Sequence, residues 1–250
     1  MNRIFKDKFL LFTDASVDGK VDTRNGNIVV GGVVIVHQSP DSIVDVKLFP
    51  FKHCTNNYGE MYSIYAAMRL CRELNMKYGE SSFTIFSDSQ YSVYSLRDWI
   101  YGWYRNVING NESILTSSGN ELKNRELIDS IIMNAVYSQG LRIKLIHVNG
   151  HTDEIKKNYV STFIRSNFPS NFNVSTEYYN KLKTELKRLL NYNVSVDMMT
   201  RDYIQTAKAN YNSLATPSLG MRLAFPPYNG SLSLYNNVVL SRAEILGDLL

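Results

Sequence analysis

The spacing of apolar and polar positions along the chain marks out its elements one after another. Lys8-Phe9-Leu10-Leu11-Phe12-Thr13 is an apolar run of strand length that ends at Asp14-Ala15-Ser16. Residues 27–36 are rich in β-branched side chains, with Gly31-Gly32 in the middle, which predicts a second strand carrying a bulge or a close backbone approach. Asp45–Phe51 alternates weakly and reads as a third, more exposed strand. Short connections between the three predict an antiparallel meander.

Helical spacing takes over at Asn56. Met61, Ile64, Tyr65, Met68 and Cys71 recur on one face of a helix running to about Asn75. Phe83-Thr84-Ile85-Phe86-Ser87 is a buried strand that ends in Asp88, followed at once by a helix from Gln90 to about Tyr101. After a loop with aromatic and basic members (102–111), a further helix is predicted from Asn120 to about Ser138. Leu141–Val148 alternates as a fifth strand and ends in Asn149-Gly150-His151. Residues 156–173 are polar and contain Pro169, so a loop is expected there. A helix starts at Ser175-Thr176-Glu177 with an apolar stripe of Tyr178, Leu182, Leu186 and Leu189, and a second follows from Asn193 to Ala209. This order predicts an α/β fold: a mixed five-stranded sheet with strands 1–3 antiparallel, strands 4 and 5 parallel, and helices on its flanks.

Composition narrows the picture only modestly. The 250 residues suffice for one well-buried domain with appendages, or at most two small ones, and the net charge of +4 permits a polyanionic partner without demanding one. No apolar run approaches membrane-spanning length, so no membrane role is expected. The first eight residues are too charged for a signal peptide. Cys54 and Cys71 supply neither metal-ligand spacing nor a disulfide framework, which fits a reducing, cytoplasmic compartment.

The chemistry is carried by carboxylates. Taken singly, Asp88 or Ser89 would cap the helix that follows, and Glu60 would complement the dipole of its own helix. In a sheet whose fourth strand runs parallel to its first, however, the ends bearing Asp14 and Asp88 are adjacent, and Glu60 reaches the same edge from its first helical turn. Three such groups either raise one another's pKa or bind divalent metal. Oxygen-only ligands favour Mg²⁺ or Mn²⁺, and two such ions are the usual device for in-line displacement at phosphate.

These segments resemble the ribonuclease HI family, type 1 ribonuclease H. Phe12-Thr13-Asp14-Ala15-Ser16 is similar to its first motif, Thr55-Asn56-Asn57-Tyr58-Gly59-Glu60 to its TNN…E helix start, and Ser87-Asp88-Ser89-Gln90-Tyr91 to its SDSQYV motif. Trp99-Ile100-Tyr101-Gly102-Trp103, Lys123-Asn124-Arg125-Glu126-Leu127 and Val148-Asn149-Gly150-His151 match three further segments in order. The resemblance implies an endonuclease that cuts the RNA strand of RNA–DNA hybrids with two Mg²⁺ ions, Mn²⁺ substituting, and leaves 3′-hydroxyl and 5′-phosphate ends. It implies Asp14, Glu60 and Asp88 as ligands, His151 in proton transfer or product release, and Ser16, Asn56, Gln90 and Asn124 as substrate contacts. Trp99, Trp103 and Tyr104 are candidates for a groove holding the DNA strand, with Trp99 expected in the core.

The family's fourth carboxylate follows the GH loop closely, and here the chain departs from the pattern. Asp153 lies too near His151, whereas Asn193-Val194-Ser195-Val196-Asp197 reproduces the N…D pattern, so Asp197 is the expected ligand and Asp202 the weaker candidate. The implied organisation is a catalytic domain of residues 1–155 with 190–212, an insertion (156–189) of loop and basic amphipathic helix, and an extension (213–250) with no assigned chemistry. Lys181, Lys183, Lys187 and Arg188 on the insertion could contact phosphates, although a solvated helix face opposite the leucine stripe is the preferred reading. A monomer is expected. Two rivals stay open: a DEDD-type 3′–5′ exonuclease, disfavoured because Ala15-Ser16 follow Asp14 where a D.E pair is needed, and a catalytically silent hybrid-binding module.

Overall fold

The computed structural model describes residues 7–18, 27–100, 102–103, 116, 119–137, 141, 143–150 and 158–216. Its centre is a five-stranded sheet of order β3-β2-β1-β4-β5, built from β1 (Asp7–Val17), β2 (Ile28–Gln38), β3 (Asp41–Lys52), β4 (Ser81–Ser87) and β5 (Ile143–His147). β1, β2 and β3 pair antiparallel; β4 pairs parallel with both β1 and β5. This is the mixed sheet that the sequence predicts.

Among the described residues, five helices flank the sheet: α1 (Asn56–Tyr78), α2 (Gln90–Tyr94, extended by a π-helical turn Ser95–Trp99), α3 (Arg125–Tyr137), α4 (Tyr159–Asn167) and α5 (Thr176–Ala209). Successive strand residues face opposite sides, and the two cores divide accordingly. Phe9, Leu11, Phe83 and Ile85 pack against α1, α2 and α3, while Leu10, Phe12 and Phe86 pack under α4 and α5.

The glycine pair of β2 sets the helix distances. A Cβ on Gly31 would lie 2.5 Å from Ser63 Oγ of α1, and one on Gly32 would lie 2.6 Å from Thr200 Cγ2 of α5. Consecutive glycines therefore let one helix approach each face at the same level of the sheet. The sequence left bulge and close approach open: the close approach is at the glycines, and the irregularity of β2 falls further along, between Ile35 and Val36.

Several expectations are corrected. β1 does not end at Asp14 but continues to Val17, because Asp14, Ala15 and Ser16 keep pairing with β2. α3 begins at Arg125 rather than Asn120. The expected loop over 156–173 contains α4, which buries Tyr159, Val160 and Phe163. The two helices expected on either side of Asn193 are one 34-residue helix, so the boundary drawn at 189/190 falls inside a single element. The buried stripe of α5 runs Leu182, Leu186, Leu189, Asn193, Val196, Thr200, Ile204; its polar members Asn193 and Thr200 disguise the continuity. Tyr178, assigned to that stripe, is exposed. Past α5 the chain returns to the sheet, where Ala215 bridges Phe51 and its carbonyl accepts from Lys52 N at 3.0 Å.

Candidate metal centre

The parallel register of β1 and β4 ends at Thr13 paired with Ser87, so the next residues, Asp14, still paired with β2, and Asp88, past the end of β4, stand where the two strands part. Neighbouring strands lie about 4.8 Å apart, which fixes the reach between the two side chains. Both belong to the face covered by α5, the parity of Leu10, Phe12 and Phe86. Glu60, the fifth residue of α1, arrives from just past the first turn and not from within it as expected. That turn is capped by Thr55, whose Oγ1 accepts from Tyr58 N, and the bare Gly59 seats it against Val29 and Ala15. Carboxylate oxygens of Asp14, Glu60 and Asp88 all lie within 4.8 Å of one another.

The site is buried and electrostatically unfavourable for bare anions. Asp14 is 4% and Glu60 6% exposed. Ala15 N donates to Asp14 Oδ1 at 2.7 Å and Asn56 Nδ2 to Glu60 Oε1 at 3.3 Å, but Asp14 Oδ2 and Glu60 Oε2 are buried with no hydrogen-bond partner. Burial, reinforced by the charge of Asp88, pushes the Asp14 carboxyl up to about 8 from its ordinary 3.8. Burial and the neighbouring Asp14 raise Glu60 well above the carboxylate range. An all-oxygen donor set with orphaned buried oxygens fits a hard divalent cation such as Mg²⁺ or Mn²⁺.

Asp197, on α5, is not among the carboxylates gathered within 4.8 Å. Its charge contributes to raising Asp14, so it shares the same field. Arg201, one turn on, donates Nη2 to Asp197 Oδ1 and Oδ2 at 2.9 and 2.6 Å. The level of Asp197 is set by its helix neighbours Val196 and Thr200, which rest on Gly32, the residue paired with Asp14. Asp202 is exposed. Asp153 and His151 lie outside the described residues, as does Tyr104.

The other sequence-predicted positions divide. The cap of α2 is Ser89, whose Oγ accepts from Ser92 N, and not Asp88. Asn56 touches Glu60, and Gln90 is exposed at the start of α2. Asn124 takes a left-handed φ of 60° and its carbonyl accepts from Leu127 N and Ile128 N to start α3. The Ser16 hydroxyl meets Thr200 Oγ1 at 2.9 Å. Trp99 is 43% exposed, against the expectation of a core position, and packs edge-on with Tyr91, Tyr94 and Trp103. Ordinary helical spacing is the reason: Arg97 shares the buried face of Val93, Leu96 and Ile100 at i, i+3, i+4 and i+7, and Trp99 lies off it. Lys181, Lys183 and Lys187 of α5 are exposed, and Arg188 pairs with Glu185 and with Asp41, the first residue of β3 after the β2–β3 connection. That connection lies at the end of the sheet opposite Asp14.

Sequence reasoning missed Arg97, His147, Asn167 and Thr200. Arg97 had a legible signal, a charged residue within the stripe Val93, Leu96, Ile100. Asn167 had none, since it lies in a stretch read as loop. Gly150, noted only as part of a motif, proves to press its backbone against Asp88: a Cβ there would overlap the carboxylate.

A family model described as RNase H matches residues 6–161. No curated protein matches the chain. Among solved structures, similarity extends to the Prototype Foamy Virus protease–reverse transcriptase, at 18% identity over 75% of this chain and 22% of that one, with a TM-score of 0.46. The PFV RNase H domain is 19% identical over 73% of this chain and 96% of its own, with a TM-score of 0.44. LC9-RNase H1, a type 1 RNase H with the type 2 active-site motif, is 18% identical over 74% and 87%, TM-score 0.44. The chain thus spans about a fifth of the protease–reverse transcriptase.

Proposed function

Because the chain belongs to the RNase H family, we propose that it is an endoribonuclease that hydrolyses the RNA strand of RNA–DNA hybrids, leaving 3′-hydroxyl and 5′-phosphate ends. The observation that carries this reading is the convergence of Asp14, Glu60 and Asp88, with two buried oxygens that meet no donor. In this reading Asp14, Glu60, Asp88 and Asp197 hold two Mg²⁺ ions, for which Mn²⁺ substitutes. Bound there, the ions supply an activated water and stabilisation of the leaving oxygen in a displacement at phosphate.

The protein's own part is orientation and charge. Ala15 N and Asn56 each fix one oxygen of a ligand and leave the other directed into the site. Arg201 pairs with both oxygens of Asp197 and orients its carboxylate. His151, directly after Gly150, moves a proton to or from the reacting oxygens, a task suited to imidazole near neutrality. Ser16, Asn56, Gln90 and Asn124 contact the hybrid, which is read by shape and 2′-hydroxyls. The catalytic unit is a monomer's residues 1–155 together with α5, the segment containing α4 enters between them, and 213–250 extend it. Buried thiols at Cys54 and Cys71, and described helices too short or too polar to cross a membrane, support action in the cytoplasm.

Incubation with RNA–DNA hybrid, duplex RNA and duplex DNA, with Mg²⁺ or with chelator, tests the reading. Metal-dependent cleavage of RNA confined to the hybrid and abolished by Asp88→Asn is the expected result. Trimming of DNA ends would replace it with an exonuclease, and binding without cleavage with a silent hybrid-binding module.

A further inference from the structure

β5 is an edge strand, yet its outer edge is filled at one residue. Asn167, the last residue of α4, accepts from His147 N at 2.8 Å through Oδ1 and donates to His147 O at 2.7 Å through Nδ2. The side-chain amide thus imitates one peptide of a neighbouring strand. Its remaining capacity is also occupied: Nδ2 donates to Phe163 O at 3.1 Å, and Oδ1 accepts from Arg97 Nη1 at 3.1 Å. An amide has two protons and two lone pairs, so all four are used, in a side chain that is fully buried.

Arg97 locks the arrangement. It is itself buried, reaches Leu145 O at 2.9 Å and Ser166 O at 2.8 Å, and pairs with Asp98 at 3.1 Å. The guanidinium thereby ties α2, β5 and α4 together. Nothing in covering a sheet edge requires a fully satisfied amide aimed at a single residue; a charge or a loop does as well.

What lies beyond His147 gives the arrangement direction. The His147 Nε2 contacts Asp88 O at 3.2 Å. A carbonyl only accepts, so Nε2 carries the proton. Val148 N donates to Ser87 O at 3.0 Å, and two residues later Gly150 faces the Asp88 carboxylate. Asp88 is therefore held at its backbone by one residue of this strand end and bounded at its side chain by another, and Asn167 clamps the strand at that point.

We infer that Asn167, locked by Arg97, is a positioning residue that sets the place of Asp88 in the metal centre through His147. The inference rests on the reading of Asp88 as a metal ligand. It makes the segment containing α4 a working part of the site and not an attachment to it.

The test uses the full chain and MnCl₂. Asn167→Leu keeps the volume and removes the amide. Outer partners of metal ligands typically change affinity by about 10–100-fold, and Mn²⁺ affinity measured by calorimetry should fall within that range. With hybrid as substrate, kcat should fall by a similar factor while KM stays within about twofold, and excess Mn²⁺ should restore kcat. A brace with only a structural role lowers the melting temperature but leaves Mn²⁺ affinity unchanged, and that result would overturn the inference. Should Asn167→Leu fail to fold, His147→Phe keeps the ring against Tyr94 and removes only the bond to Asp88; wild-type Mn²⁺ affinity in that variant overturns the inference equally. Asp88→Asn separates the two readings. If it binds Mn²⁺ as the wild type does, the metal-centre reading itself fails; if it loses binding while Asn167→Leu keeps it, only the positioning role fails.

Discussion

The hydroxyls of Ser16 and Thr200, 184 positions apart in the chain, meet at 2.9 Å. Thr200 donates its one proton to Asp197 O at 2.9 Å, so Ser16 is the donor in the pair. The end of β1 is thus tied to α5 within one turn of Asp197. Thr200→Val keeps the shape and leaves Ser16 without this partner. A loss of about 1–3 kcal/mol in unfolding free energy is expected, together with weaker cleavage of hybrid. Denaturant titration and a hybrid-cleavage assay on the same preparation check it; a variant matching the wild type in both would show that the tie does not hold Asp197.

The metal-free protein should lose stability as pH rises. The Asp14 carboxyl has an ordinary value of 3.8 and is pushed up to about 8 in the fold, with Glu60 raised alongside it. Between about pH 4 and pH 8 the folded chain therefore binds more protons than the unfolded chain, and stability falls across that window. Thermal melts in chelator should show the decline, Mg²⁺ at pH 8 should reverse it, and Asp14→Asn should flatten it and raise the chelated melting point at pH 8. Equal melting points for the chelated wild type at pH 5 and pH 8 would contradict the electrostatic account.

Gly150→Ala should damage activity far more than folding. The added methyl overlaps the Asp88 carboxylate and displaces it or the loop. Misplacement of a reacting group by about 1 Å can cost on the order of 100-fold in rate. Steady-state cleavage beside a thermal melt reads this, and a variant with wild-type kcat would show that the loop gives way without moving Asp88.

Asp197→Asn and Asp202→Asn should part widely. Asp197 shares the field of Asp14, whereas Asp202 is exposed on the same helix. Metal-dependent cleavage should fall by at least about 100-fold in the first and hold within about twofold in the second. Asp153→Asn should also stay near wild type, and full activity in Asp197→Asn would remove it from the ligand set.

Gly32→Ala should loosen α5. The new methyl would sit 2.6 Å from Thr200 Cγ2 and 3.2 Å from Val196 Cγ2, both on the turn that carries Asp197. Overpacking of this kind costs about 1–3 kcal/mol, measurable by urea unfolding; an unchanged midpoint would show that α5 is not seated on this glycine.

The sequence by itself determined the strands and helices from β1 to β5, their order, and the trio Asp14, Glu60 and Asp88. The reason is local. Apolar period distinguishes strand from helix, parallel pairing makes strand ends neighbours, and a carboxylate at a strand end or near a helix start is placed by its own element. Tertiary structure decided the rest. α4 stayed hidden because its nine residues bury only a few apolar side chains, and α5 looked divided because Asn193 and Thr200 interrupt its stripe with polar groups. Helical spacing puts Arg97 in the stripe of Val93, Leu96 and Ile100, but the acceptors that let a charge sit there, Leu145 O, Ser166 O and Asn167 Oδ1, come from β5 and α4. The hold on Asp88 from His147 and Asn167, and that on Asp197 from Ser16, Thr200 and Gly32, join residues distant in sequence through hydrogen bonds and close packing. Such contacts exist only once the sheet has brought those residues together.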